Sequence, residues 1–193
     1  SAKHDAKLAK KYGQGFNFDL SQFDAEGVVD GEILDSTYVS LICEGVKQDA
    51  KVGSYDIEVE NHDGGNYKAK FDGTPVLTVE QAKVVAVDNS VRATDGRKNG
   101  STDRVTITGA FANANNKEMK VDGELEFDFS NTAAAGGTFP SAPSIEVGWK
   151  FTPKDKVNYE DEALTGKVTI TLTDKDPVEL NISDANLEIT YDG

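Results

Sequence analysis

The chain has 193 residues, enough for one large or two small domains, and its formal net charge is −14 at pH 7. The excess of 34 Asp and Glu over 20 Lys and Arg argues against nucleic-acid binding, which needs a basic face, and against docking on anionic membranes. The single cysteine excludes a disulfide framework and a cysteine-rich metal site within one chain.

Short segments predict β-strands along the chain, all of them alternating between apolar and polar residues except 76–79, which is a shorter apolar run. In chain order they are residues 16–20 (FNFDL), 55–59 (YDIEV), 76–79 (VLTV), 105–109 (VTITG), 125–129 (LEFDF) and 168–172 (VTITL). Between them, Asp-Gly and Asn-Gly dipeptides supply the positive φ that tight turns require. Residues 2–11 and 27–41 contain helix-forming residues, but neither has an apolar stripe at the helical period. The sequence therefore predicts an all-β fold.

The order strand, loop, Asn-Tyr, strand occurs twice. Tyr67 of Asn66-Tyr67 follows the strand ending at Val59 by eight residues, and Tyr159 of Asn158-Tyr159 follows Phe151 by the same spacing. This repetition predicts two tandem small β modules cut from a longer array. An immunoglobulin-like sandwich is our first choice for each module, and a β-grasp-like sheet with a short helix near residues 31–41 is the second.

Polar segments that stop at a glycine turn, at Gly13, Gly96 and Gly193, set the predicted boundaries. The first module is residues 1–83, the second is 84–178, and residues 179–193 form a linking strand or the start of a third repeat. Each module needs its own apolar core. The residues expected in these cores are Phe16, Phe18, Ile57, Val59, Leu77 and Val79 in the first, and Val105, Ile107, Leu125, Phe127, Phe129, Trp149, Phe151, Val168 and Ile170 in the second.

Tyr12-Gly13, residues 53–59 (GSYDIEV) and Asn66-Tyr67 resemble the MBG repeat of bacterial cell-surface proteins and adhesins, in its YGX form. Residues 149–159, with Asn158-Tyr159, resemble the related repeats, although Asp95-Gly96 stands where the second module should open with Tyr-Gly. The resemblance implies non-catalytic extracellular modules of a stalk or spacer at the cell surface or cell wall, with neighbouring repeats of the same chain as partners. Direct binding of glycans or mucin remains the alternative.

Location follows from the same interpretation. No apolar run approaches the roughly 20 residues of a membrane span, so we expect no membrane insertion in this sequence. No signal peptide is present, and targeting and anchoring segments are expected to lie outside it.

Four aromatic residues, Tyr55, Tyr67, Trp149 and Tyr159, are candidates for contrasting roles. Exposed aromatic rings would stack on sugars, whereas buried rings would anchor the two cores. We favour the core role, and we expect Asn66 and Asn158 to shape turns. No ligand-binding residue is assigned.

No catalytic residue and no cofactor is predicted, so enzyme activity is not expected. Calcium stays an alternative at the acidic loops 95–103 and 174–176, but no segment has EF-hand spacing and no metal site is assigned. Cys43 ends an apolar run and is expected to be buried and inert, and His4 and His62 are too isolated for zinc. A Lys–Asn or Lys–Asp isopeptide cross-link is a further alternative, without specific residues.

Overall fold

The computed structural model describes residues 8–27, 36–63 and 68–174. Their regular structure is almost entirely β-strand, so the predicted all-β fold is confirmed. The helical elements in the described ranges are single 3-10 turns at Leu20–Gln22, Glu44–Val46 and Thr102–Arg104.

Residues 8–80 are named the first unit, and their described part contains five short strands. They are β1 (Ala9–Lys11), β2 (Val39–Ile42), β3 (Gly53–Asp56), β4 (Glu58–Asn61) and β5 (Val76–Glu80). β5 lies between β1, to which it is parallel, and β3, to which it is antiparallel, while β2 pairs with β4. Leu8, Cys43, Ile57 and Leu77 form the buried core beneath them.

Residues 84–174, the second unit, contain nine strands, of which five have two or three residues and two have ten. They are β6 (Val84–Ala86), β7 (Arg92–Ala93), β8 (Gly96–Arg97), β9 (Ile107–Thr108), β10 (Phe111–Asn113), β11 (Asn116–Lys120), β12 (Gly123–Asp128), β13 (Ser144–Pro153) and β14 (Leu164–Thr173). One sheet has the order β12-β13-β14-β8 and another β11-β10-β6, with β7 and β9 paired separately. The Phe111 ring of the second sheet stacks on Phe151 of the first, with centroids 3.7 Å apart. The two sheets therefore share a core.

The two units repeat one local arrangement at their last strands. In the first, β5 is parallel to β1, and the Tyr12 N–H donates to the Glu80 carbonyl at 2.9 Å. In the second, β14 is parallel to β8, and the Lys98 N–H donates to the Thr173 carbonyl at 2.9 Å. The structural counterpart of Tyr12-Gly13 is thus Lys98-Asn99. Gly96, which the glycine spacing matches with Gly13, lies two residues before Lys98 and pairs with Leu172.

Several predicted strands are corrected. Residues 16–20 contain no strand, and among the described residues no strand pairs with them. The Phe16 and Phe18 rings instead pack on the core, with centroids 5.1 Å apart. Ile57 divides segment 55–59, since β3 pairs with β5 and β4 with β2. Only Ile107–Thr108 of segment 105–109 is strand.

The two segments with helix-forming residues fall partly outside the described ranges. Residues 1–7 and 28–35 lie outside them. Ala9–Lys11 is strand β1 and Val39–Ile42 is strand β2, which agrees with the missing apolar stripe at the helical period. The helix near residues 31–41 in the second-choice fold therefore does not extend over residues 39–41. Both strands form ladder hydrogen bonds with a neighbour, which a helix of 3.6-residue period could not do.

The predicted core residues divide by burial. Fully buried are Ile57, Leu77, Val79, Val105, Trp149, Phe151 and Ile170. Half-buried are Phe16, Phe18, Val59, Ile107, Leu125, Phe127, Phe129 and Val168. The prediction omitted Phe111, Phe139 and Val147, which are also buried.

Candidate functional site: the junction between the two units

The three residues between β5 and β6 are held on the second unit. Ala82 has no exposed surface, and its N–H donates to the Asn158 carbonyl while its own carbonyl accepts from the Glu160 N–H, both at 3.0 Å. The Gln81 side-chain amide adds bonds to the carbonyls of Lys156 (3.1 Å) and Val157 (3.2 Å). This segment is therefore part of a folded contact, which we name the junction.

Asn158 lies at the centre of the junction and is 5% exposed. Its side-chain Nδ2 donates to Asp155 Oδ2 at 2.7 Å, and its main-chain N–H donates to Asp155 Oδ1 at 3.0 Å, which closes the turn expected for this residue. Its Oδ1 accepts from the Val52 N–H of the first unit at 3.0 Å. One side chain thus shapes its own turn and joins the two units.

Asp155 remains an acceptor for this turn over most of the pH range. Burial would raise its pKa, but hydrogen bonds from the main chain and side chain of Asn158 and from the Val157 N–H favour the carboxylate. The net effect holds the pKa of Asp155 below its ordinary value.

Tyr12-Gly13 is the first unit's main contribution to the junction. The Tyr12 ring meets the Tyr159 ring edge to face, with centroids 5.5 Å apart and an interplanar angle of 87°. Asn113 Nδ2 donates to the Tyr12 carbonyl at 2.8 Å, and Asn116 Nδ2 donates to the Gly13 carbonyl at 3.2 Å. The β10-β11 hairpin therefore binds the main chain of the first unit through two amides.

Gly13 is required here for two independent reasons. Its φ of +92° lies in the left-handed region that side chains with a Cβ disfavour. A Cβ at this position would also lie 2.4 Å from Asn113 Nδ2. Any larger residue would displace the Asn113 side chain, which donates to the Tyr12 carbonyl.

The two tyrosines of the junction are neutral phenols. Burial raises the pKa of Tyr12, and the carboxylates of Asp155 and Asp49 raise it further. Burial also raises the pKa of Tyr159, and a hydrogen bond with Asn113 only partly opposes this. Beside the tyrosines, Lys11 and Glu80 of the first unit form an ion pair, with Nζ 3.3 Å from Oε2.

Lys10 stabilises the turn at Tyr12-Gly13 through hydrogen bonds from its side chain. The side chain is 5% exposed, and its ammonium donates to the carbonyls of Gln14 (2.6 Å) and Lys47. Burial lowers the pKa of Lys10, because the low-dielectric surroundings disfavour the charged form. Its contacts with carbonyl oxygens fix the turn that presents Tyr12 to the second unit.

A cavity of about 450 Å³ opens beside the junction. Its lining includes Tyr12, Tyr159, Met119 and Asp155. Tyr159 is only 3% exposed and its ring already contacts Tyr12, so it offers no free face to a sugar. The cavity therefore lacks a stacking platform at this residue.

The other predicted aromatic residues are structural where the structure describes them. Trp149 is 6% exposed and packs edge to face with Phe111, 5.8 Å between centroids. Tyr55 is half-buried, and its hydroxyl donates to the Lys51 carbonyl at 2.8 Å. Asn66-Tyr67 lies outside the described residues, so its equivalence to Asn158-Tyr159 stays a prediction.

The candidate metal and thiol residues are dispersed. Across the described ranges, no group of three or more His, Cys, Asp or Glu side chains could hold a metal ion. Asp174 binds Lys98 Nζ at 2.9 Å, and residues 175–176 of the same loop lie outside the described ranges, as does His4. Burial raises the pKa of the Cys43 thiol, which is 6% exposed. His62 Nε2 lies 2.6 Å from Ser40 Oγ.

Comparison with family models, with curated proteins and with solved structures finds no match to this chain. Among the residues that the structure describes, no helix has the length and apolar character needed to cross a membrane.

Proposed function

We propose that this chain is a non-catalytic spacer, two β units held in a fixed relation that project another region of a larger cell-surface protein. The junction is the observation that carries the proposal. The resemblance of the sequence to MBG repeats supports an extracellular location and neighbouring repeats as partners. The acidic, cysteine-poor composition suits a surface stalk that stays hydrated and resists self-association.

A spacer sets a distance only if its units do not swing about their linkers. Domains joined by small polar contacts move relative to one another as a rule. Here the linker residue Ala82 is buried and bonded on both sides, and Asn158 and Asn113 bind main-chain groups of the first unit. These directional bonds oppose rotation about the linker.

An immunoglobulin-like sandwich for each unit belongs to the same proposal. In the second unit, two separate sheets face a common core, and the stacked pair Phe111 and Phe151 joins them. In both units the last strand is parallel to an early strand, β5 to β1 and β14 to β8. This shared arrangement supports one topology for both units.

The test is a distance measurement between spin labels on exposed strand positions, Glu60→Cys in the first unit and Glu126→Cys in the second, in a Cys43→Ala background. A fixed junction gives a narrow distance distribution. Asn113→Ala should broaden it, whereas Asn115→Ala, at an exposed neighbour in the same hairpin, should not. A broad distance distribution in the labelled protein without either asparagine substitution would overturn the spacer proposal.

The competing function is direct glycan or mucin binding. A screen of glycans and mucin, with calcium and with chelator, separates the two. Saturable binding that free sugar competes would overturn a pure spacer role, and no binding in either condition supports it. Because Trp149 and Tyr159 are buried, neither is available as a sugar-stacking residue in the folded chain.

A further inference from the structure

We infer that the parallel pair β1 and β5 is a load-bearing clamp, so that tension along the chain shears this ladder rather than unzipping it. The inference deepens the proposed spacer function and rests on it for the direction of the load, since a surface spacer is pulled through its two chain ends.

The strand directions produce the shear. Ala9 lies opposite Thr78 and Lys11 opposite Glu80, in parallel register. The chain enters the first unit at the beginning of β1 and leaves it at the end of β5. Opposite pulls at these two points slide the strands past each other, so every bond of the ladder carries load at the same time.

The ladder is closed at both ends. The Thr78 N–H donates to the Leu8 carbonyl at 2.9 Å at one end, and the Tyr12 N–H donates to the Glu80 carbonyl at 2.9 Å at the other. The first of these bonds belongs to the pair Ala9 and Thr78 and the second to the pair Lys11 and Glu80, so both end pairs of the ladder carry load.

The far end of β1 is also tied to the second unit. The Tyr12 carbonyl accepts from Asn113, and the Gly13 carbonyl accepts from Asn116. To leave its place beside β5, β1 must break these bonds as well. The junction and the ladder therefore resist the same displacement.

The second unit provides an internal comparison. β8 and β14 are also parallel, but β6 precedes β8 in the chain and pairs antiparallel with β10. Load arriving through the linker meets β6 before it meets β8. Of the two units, the first is therefore the one whose first described strand belongs to a parallel pair.

The experiment is single-molecule force spectroscopy of the whole chain, tethered at residues 1 and 193. Unfolding of the first unit releases residues 8–80, roughly 25 nm of chain, and unfolding of the second releases residues 84–174, roughly 30 nm, so the two events can be told apart by their length.

Tyr12→Pro and Tyr12→Ala form a matched pair, since both remove the ring and only proline removes the N–H that bonds Glu80. Tyr12 is the second residue of a four-residue turn closed by Gln14 N–H to the Lys11 carbonyl at 3.1 Å, with positive φ at Gly13. Proline is favoured at that position. We expect the proline variant to lose unfolding force relative to the alanine variant in the first-unit event, with the second-unit event unchanged. Equal first-unit forces in the two variants would overturn the clamp.

Pulling direction is the second test and leaves the ladder intact. A tether at Asp72→Cys in the Cys43→Ala background, paired with the tether at residue 1, loads β1 and β5 from the same end, and their bonds then break one after another. The first-unit force should be lower than with end-to-end tethers; equal forces would overturn the clamp. A failure of the spacer proposal, seen as a broad label distance or as sugar binding, leaves this directional difference in place.

Discussion

Replacing Asn158 by alanine tests the energetic weight of the junction. The substitution removes the bond that Asn158 accepts from the Val52 N–H and the bond that it donates to the Asp155 carboxylate. A neutral bond contributes about 0.5–1.5 kcal/mol and a bond to a charged group about 1.5–3 kcal/mol. Asp155 is partly exposed, so water replaces part of the second contribution. We expect a loss of about 2–3 kcal/mol in the free energy of unfolding.

Urea unfolding, followed by the fluorescence of the single tryptophan, Trp149, measures this loss. Asn115→Ala is the matched control, because Asn115 is exposed and should change stability by less than about 0.5 kcal/mol. Asn158→Asp keeps an acceptor for Val52 but places a second carboxylate beside Asp155, so it should destabilise more at pH 7 than at pH 4. If Asn158→Ala matched the Asn115 control, the junction would carry no significant energy and the reasoning would be wrong.

Three further substitutions test other contacts. Gly13→Ala should lower the free energy of unfolding by about 1–3 kcal/mol and broaden the distribution of label distances between the units. Gly73→Ala is the control, because Gly73 has a similar φ of +95° but no atom near its Cβ, and it should leave that distribution unchanged. Broadening in both variants would contradict the role of Asn113. Gly166→Ala places a Cβ 2.2 Å from the buried indole of Trp149, so it should lower the free energy of unfolding by about 1–3 kcal/mol and change the fluorescence of Trp149. Gly136→Ala is the control, because no atom lies near its Cβ, and it should change neither quantity. The lowered pKa of Asp155 contributes stability that is present above its ordinary value of about 3.9 and is lost as the pH falls through the folded-state pKa. The difference in unfolding free energy between the parent protein and Asp155→Asn should therefore shrink below about pH 4, and a difference that is equal at pH 7 and pH 3 would argue against this.

The strands could be predicted where alternation coincided with a pairing partner. Segments 125–129 and 168–172 alternate, and each has a neighbour in a sheet. Segment 16–20 alternates equally well, but its phenylalanines only cover a core. Alternation indicates that one side of an extended segment is buried. It does not indicate whether another strand lies beside that segment.

The junction could be predicted only in its local part. The turn at Asn158 involves Asp155, three residues earlier, and a turn at this asparagine was expected. The contacts of Asn113 with Tyr12 and of Asn158 with Val52 join residues more than 100 positions apart, which no local pattern reveals. At the residue that follows the hydrogen bond to the last strand, the second unit has Asn99, with φ of +57°, and the first unit has Gly13. Asparagine tolerates that conformation, so the spacing of glycines alone does not locate this position.

Burial of Ala82 has a consequence for dissecting the chain. Proteases cut exposed segments whose main-chain groups are free, and Ala82 offers neither surface nor free hydrogen-bonding groups. Digestion under native conditions should spare the short connection at which tandem domains are commonly separated. A fragment ending at Glu80 would expose the Tyr12 ring to solvent, and one beginning at Lys83 would leave Asn158 without its acceptor role for Val52. Each unit includes a surface that only its neighbour completes, so the smallest faithful preparation of either one is the pair.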